Sequence, residues 1–433
     1  MIIKIGCEND YLMDILYKNP ETDMGLYLKP LKNGHVAGNV IDKHNYEIIF
    51  QDDKDSYLPE GNNQIDYQSY CAPLAALHIC NELFAHILKG RAEYLQKEIA
   101  WLGLTQGEVD TKPCRIEIIS LYIDSKWFRD GRFLLSKYFD GIKVEQQTNR
   151  IFRLTVSAPT IFEAVNLLSL VSLFTHITND YSVFTYIDDS LTQKYGRVLS
   201  NIKNVPYFVF YLFIQRAMKT EEQFTDLKPV FEKYLAEAGL QVDLKWQGAK
   251  QQRINHISNQ LEMNIPILDV GCGEFDFYKK MVKLGFKEMY FAVDKDERIE
   301  TLSRSVIKRH EEGNLLFFSS LDDFIFPEKI NVLLVEVIEH NTVDAAKALI
   351  NRILDGYNIN KMFISSPNIE FNGFYHNMNS LFRHDDHVFE PDPTEFREII
   401  EECVVNRSCN VEYFYLGDCI NGIHPTQGCV ISF

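Results

Sequence analysis

No two of the nine cysteines stand in a CxxC spacing, and their positions follow no regular interval. A zinc cluster built on thiolates is therefore not expected. An odd, dispersed set points instead to thiols kept reduced in a cytoplasmic location. No apolar run reads as long enough to cross a bilayer, so no membrane is expected as a partner. The opening stretch "MIIKIGCEND" lacks the basic segment and long apolar core of a secretion signal. Basic residues are also scarce: 44 Lys and Arg stand against 61 Asp and Glu, a net charge of −17. Such a chain offers no broad surface for gripping phosphates. A nucleic-acid substrate then requires that few nucleotides be held, or that a basic partner do most of the holding.

What is present describes a globular protein. Apolar residues make up 46% and aromatics 13%, too much for a disordered chain. At 433 residues the chain exceeds one hydrophobic core, and two or three domains are expected. The polar stretch from Gln51 to Asp66 reads as a surface loop. Helical spacing follows from about Tyr67 to Trp101. "CRIEIISLYI" and "IFRLTVSA" read as strands, with a long apolar helix from about Ile161 to Phe174 and mostly helix from Asn204 to Tyr234. These elements predict an α+β domain over residues 1–240, in which no catalytic signature stands out.

From about residue 245 to 433 strands and helices alternate, which predicts an α/β domain with a mostly parallel sheet and helices on both faces. The last two strands, "NVEYFYLG" and "GCVISF", have no helix between them and suggest an antiparallel edge hairpin. In a parallel sheet of this kind ligands bind beyond the carboxyl ends of the strands. The strand "IPILDVGCG" ends in Asp269, Gly271 and Gly273, whose glycines permit a sharp turn and close approach of a ligand. The next strand ends in Asp294, placed to accept hydrogen bonds from a ribose. A lone GxG is a weak signal, but strand, turn, helix, strand and terminal acid together are stronger. A dinucleotide fingerprint would require a third glycine where Asp276 stands. With seven strands, this arrangement resembles the class I S-adenosylmethionine methyltransferase fold, seven-stranded and Rossmann-like. By that resemblance Ser320 and Leu321 lie near the adenine.

A further stretch, "LLVEVIEHNTV", carries three potential metal ligands, Glu336, Glu339 and His340, where a hydrophobic strand ends. If the turn after the strand is helical, the three share a face. Two carboxylates and an imidazole beside a cofactor crevice suggest a divalent cation. The loop "FRHDDHVFE" offers His384 or His387 as a fourth ligand.

"VEVIEH", "SPNIEFN", "FRHDDHVFE" and "HPTQ" occur in order through the C-terminal half and resemble the Hen-type RNA 3′-terminal 2′-O-methyltransferases. The resemblance implies that Glu336, Glu339, His340 and His387 hold one divalent cation. His384 would then support these ligands or face the substrate. The cation would engage the 2′- and 3′-hydroxyls of the last RNA nucleotide, with S-adenosylmethionine as donor and His340 or His387 accepting the proton. Two imidazoles favour Mn²⁺ over Mg²⁺. Arg253, Asn368, Arg383 and Thr426 are further candidates for contact with the RNA end. "ETDMGLYL", "YCAPLAALHICNELF" and "GRAEYL" resemble the N-terminal domain of the bacterial members. That implies a role in RNA repair beside a polynucleotide kinase-phosphatase and an RNA ligase, the ligase being bound and activated by the N-terminal domain, with a cleaved tRNA as the implied substrate. Two other readings compete: methylation of a small-molecule diol, or a chain that acts chiefly as an assembly and activator subunit of a ligase complex. The family's tryptophan after "FE" is replaced here by Pro391.

Overall fold

The computed structural model describes residues 1–17, 25–31, 34–52, 71–129, 131–179, 189–309, 313–375 and 381–433. The chain forms two compact units, Met1–Ala238 and Gly239–Phe433. Most of the Gln51–Asp66 loop and the first half of "ETDMGLYL" lie outside the described residues.

The first unit is built on a fully antiparallel seven-stranded sheet. Its strands are β1 (Ile2–Cys7), β2 (Gly25–Leu31), β3 (Gly34–Asp42), β4 (Asn45–Asp52), β5 (Cys114–Tyr122), β6 (Ile142–Thr148) and β7 (Ile151–Ala158), in the spatial order β6-β7-β5-β1-β4-β3-β2. The expected helix from Tyr67 to Trp101 is in fact two shorter ones, Pro73–Leu83 and Arg91–Gln96. The apolar helix runs further than its spacing suggested, over Ile161–Thr178, and at 18 residues it is long and apolar enough to cross a membrane. This corrects the expectation that no run has that length. It is almost wholly buried within the protein, as a core helix is. Some of its polar side chains bond back within the helix: Ser169 and Thr175 donate to the carbonyls of Val165 and Val171.

The start of this helix is held by a buried acid. Asp110 accepts from the backbone N–H groups of Ile161 (2.8 Å) and Phe162 (2.9 Å) and from the Tyr94 hydroxyl (2.8 Å). The two N–H groups are donors that a helix end leaves without intrahelical partners. Asp110→Ala strands all three in the core. We expect a loss of about 2–4 kcal/mol, read as a lower urea midpoint at unchanged slope.

The second unit carries β8 (Ile267–Val270), β9 (Tyr290–Val293), β10 (Leu315–Phe318), β11 (Lys329–Val335), β12 (Asn358–Pro367), β13 (Asn410–Leu416) and β14 (Thr426–Ser432). Their order is β10-β9-β8-β11-β12-β14-β13, parallel from β10 to β12, with β14 antiparallel to both neighbours. This is the class I methyltransferase fold. The expected closing hairpin forms, but its final strand inserts beside β12 and leaves β13 at the edge. β14 is buried at every position but its last, whereas β13 alternates and tolerates an edge. The central strands are apolar on both faces, as a sheet covered by helices on both sides requires. Leu268 and Val270 join one core, whereas Ile267 joins the other. The order in which strands are added reverses between the parallel neighbours β8 and β11, and the crevice at their carboxyl ends is where ligands bind in such sheets.

Candidate functional site

β8 ends in a tight turn. Gly271 (φ +77°) and Gly273 (φ +50°) adopt left-handed backbone that disfavours side chains. The N–H groups of Gly271 and Cys272 both donate to the Val293 carbonyl, tying the turn to the end of β9. Asp294, next along, accepts from Gly273 N–H (3.0 Å) and Asp296 N–H (2.9 Å) and remains half-buried. Asp269 sits deeper. Its carboxyl is buried and accepts from the Tyr290 hydroxyl at 2.5 Å, and burial pushes it up to about 7 against the pull of that hydrogen bond. Ser320 caps the short turn Leu321–Asp323 by accepting from Asp322 N–H, and Leu321 packs into the apolar core.

Beyond β11 the chain turns at Glu336, whose φ of +57° is rare for a residue with a side chain. A single 3₁₀ turn, Ile338–His340, follows. It places Glu339 and His340 next to the histidine loop, and the Val388 N–H donates to the Glu339 carbonyl at 2.8 Å. Glu339, His340 and His387 each direct one ligand-type atom into a space where all lie within 4.8 Å of one another.

Each imidazole in this cluster is oriented by an oxygen. His387 Nδ1 lies 2.5 Å from Glu390 Oε1. His340 Nδ1 lies 3.3 Å from both the Asp386 carbonyl and its carboxylate. In each ring Nε2 is thereby left for the cluster. Glu390 is buried, and burial alone would raise its pKa. The hydrogen bonds from His387, Asn372 and the Arg383 N–H outweigh that and hold it below the ordinary carboxylate range.

Glu339 is different in kind. It is fully buried, and neither carboxylate oxygen has a hydrogen-bond partner among the described residues. Burial, and then the charge of Glu336, pushes its carboxyl well above the ordinary range. A buried acid without donors is costly unless something cationic meets it. Together with two oriented imidazoles, this donor set fits a divalent cation.

The other expected residues divide. Glu336 is not in the three-donor cluster; it pairs with Arg253 (3.1 Å) and accepts from Ser365 Oγ (3.0 Å). Arg253 also reaches the buried Thr426 hydroxyl at 3.4 Å. Asn368 is buried and spans two loops, accepting from Glu370 N–H and donating to the His424 carbonyl. Arg383 donates to the Pro425 carbonyl at 2.8 Å and lies over the Tyr375 ring. His384 is exposed, with its ring 5.1 Å from that of His387. Sequence reasoning missed the orienting roles of Glu390 and Asp386. The spacing His387-x-x-Glu390 was the available signal for the first.

Several known proteins are similar to this chain. A solved chain of a structure described as the Pnkp1/Rnl/Hen1 RNA repair complex is 44% identical, with a TM-score of 0.88 and complete coverage of both chains. A second structure of the Pnkp1/Rnl/Hen1 complex gives 44% identity and a TM-score of 0.84, also over both full chains. A small RNA 2′-O-methyltransferase of Caenorhabditis elegans is 29% identical over 153 residues, a match that takes in 31% of this chain and 34% of that protein. Residues 2–236 match the model of the Hen1 N-terminal domain, and the chain belongs to that family.

Proposed function

We propose that this chain transfers the methyl group of S-adenosylmethionine to the 2′-hydroxyl of the 3′-terminal nucleotide of RNA. In this reading the reaction depends on a divalent cation held by Glu339, His340 and His387, with Glu336 beside them. The observation that carries it is the buried, partnerless Glu339 carboxylate set against two oriented imidazoles, at the sheet edge that also bears the glycine turn. The cation would supply Lewis acidity, which makes an alcohol a competent nucleophile near neutral pH.

The protein's own groups do the rest. Gly271 and Gly273 let the donor approach the backbone, and Asp294, fixed by two N–H donors, receives its ribose hydroxyls. Asp269 supports the turn from beneath through Tyr290. Ser320 and Leu321 border the adenine. Glu390 and Asp386 fix the rings of His387 and His340, whose Nε2 atoms are then committed to the ion rather than to the departing proton. His384, exposed beside them, is the residue best placed to meet the RNA end, with Arg383 and Asn368 shaping the loops around it.

The N-terminal unit is proposed to bind and activate an RNA ligase, within a cytoplasmic repair assembly that also holds a polynucleotide kinase-phosphatase. The match over the whole chain to a component of such a complex supports this. It also relieves the difficulty posed by the net charge of −17, because partners can supply the grip on RNA.

The test is transfer of labelled methyl to RNAs that differ only at the 3′ end. A terminal 2′,3′-diol should be methylated, and a 3′-phosphate or 2′-deoxy end should not. EDTA should stop the reaction and Mn²⁺ restore it. Indifference to the 3′ group would favour the small-molecule diol reading, and full activity in EDTA would remove the metal. Glu390→Gln should weaken Mn²⁺ binding by about 10- to 100-fold, because it loosens the ring of His387 without touching the ion; calorimetry reads this directly.

A further inference from the structure

We infer that Arg253 is a positioning residue for the proposed metal site: its guanidinium holds the place of a cation beside Glu336 and gives it up when the divalent ion enters. This rests on the metal-dependent reading above. The helix Ala249–Ser258 delivers Arg253 to the end of β11. Both oxygens of Glu336 are engaged, Oε1 by Ser365 and Oε2 by Arg253. Neither partner is a surface group, since the Arg253 side chain is 11% exposed and that of Glu336 23%.

The pair is not arranged as a permanent structural bridge would be. A guanidinium has five N–H donors and commonly grips a carboxylate with two. Here the ion pair closes at Nη1, 3.1 Å from Oε2; the Nη1 bond to Thr426 is long at 3.4 Å, and Nε is buried with no acceptor among the described residues. Charge holds this arginine more than hydrogen-bond geometry does.

The charge is needed there. The charge of Glu336 reaches Glu339 and opposes its ionisation, whereas that of Arg253 eases it. Arg253 thus holds the Glu336 carboxylate apart from the three-donor cluster. A divalent ion entering the cluster carries twice the charge of the guanidinium, and at such short range charge decides the competition for Glu336. The resting protein therefore stores its fourth carboxylate on an internal cation. The price of that arrangement is that Arg253 opposes metal binding.

The sign of the effect separates this role from simple support. Mn²⁺ binding is measured by calorimetry on the full chain at pH 8. Arg253→Gln should bind Mn²⁺ about fivefold or more tightly than the unaltered protein, while its metal-free form melts at a lower temperature. Arg253→Lys, which keeps the charge, should stay near the unaltered affinity. In a Glu336→Gln background the Arg253→Gln change should lose its tightening effect, because Arg253 acts through that carboxylate. Equal or weaker binding by Arg253→Gln overturns the inference. Should that variant fail to fold, the unaltered protein decides: phenylglyoxal labelling of Arg253, read by peptide mass spectrometry, should become faster on adding Mn²⁺. Slower or unchanged labelling overturns it. No Mn²⁺ binding by the unaltered protein would remove the metal-dependent reading itself. Binding by that protein without tightening in Arg253→Gln removes only the role of Arg253.

Discussion

Glu339→Gln is expected to lose methyl transfer and metal binding while gaining stability. Glu339 is fully buried and its oxygens have no donors, so in the metal-free protein its charge is a cost. Its folded pKa is pushed well above the ordinary 4.5 by burial and then by Glu336. The folded state therefore holds the proton more tightly than the unfolded chain. Stability of the metal-free protein must fall as pH rises from about 4.5 to the raised folded value, and stay low above it. The amide cannot ionise and is free of that penalty. At pH 8 without metal, Glu339→Gln should be more stable by about 1–3 kcal/mol, a melting temperature several degrees higher. The unaltered protein should overtake it once Mn²⁺ is added, since only the carboxylate gains from the ion. Activity should fall by about a thousandfold or more. A residue that merely packs the turn would give the opposite stability result. Thermal melts of both proteins at pH 5 and pH 8, with and without Mn²⁺, distinguish the two; a less stable variant at pH 8 without metal would count against a metal-binding role.

The sequence made the sheet of the second unit easy to read, because its strands are short apolar runs separated by helical spacing. Tyr290–Val293 is buried at all four positions and could hardly be anything else. The candidate cluster at Glu339 and His340 was legible for a related reason: charged groups at the end of such a run need an explanation. Residues whose role depends on a partner distant in sequence were not legible. Nothing near Arg253 indicates that its charge will meet Glu336, 83 residues on (336 minus 253). Asp269 looked like a ligand of the cofactor because it precedes the glycines, yet period-two alternation turns its carboxyl inward to Tyr290. The strand order at the end of the chain was hidden as well. Two consecutive strands form a hairpin whichever of them lies outermost, and only the short run Cys429–Ile431, apolar on both faces, marks the second strand as the inner one. Composition likewise could not separate the helix Ile161–Thr178 from a membrane span, since a buried core helix has the same length and polarity.

The two glycines of the turn should fail in different ways when replaced by alanine. At Gly271 a Cβ would lie 2.5 Å from Val337 Cγ2, and φ is +77°. Val337 lies between Glu336 and the 3₁₀ turn that carries Glu339 and His340, so pushing it aside disturbs the ligand cluster. Backbone strain and overlap together should cost about 2–4 kcal/mol. Gly271→Ala should therefore lower stability, metal affinity and donor affinity together. At Gly273 the backbone is also left-handed, at φ +50°, but a Cβ meets no atom within 4 Å. Gly273→Ala should cost only about 1 kcal/mol and leave Mn²⁺ binding unchanged. Its methyl group would project into open space beside the N–H that Asp294 holds, where the donor is proposed to lie. Affinity for S-adenosylmethionine should fall by about tenfold or more, read by calorimetry with the metal present. Adding Val337→Ala to Gly271→Ala removes the methyl group that the new Cβ strikes, and should restore part of the stability and metal binding. The same addition to Gly273→Ala should restore nothing. If Gly273→Ala binds the donor normally, the crevice at this turn is not the donor site. If Val337→Ala fails to rescue Gly271→Ala, the overlap with Val337 is not what couples the turn to the ligand cluster.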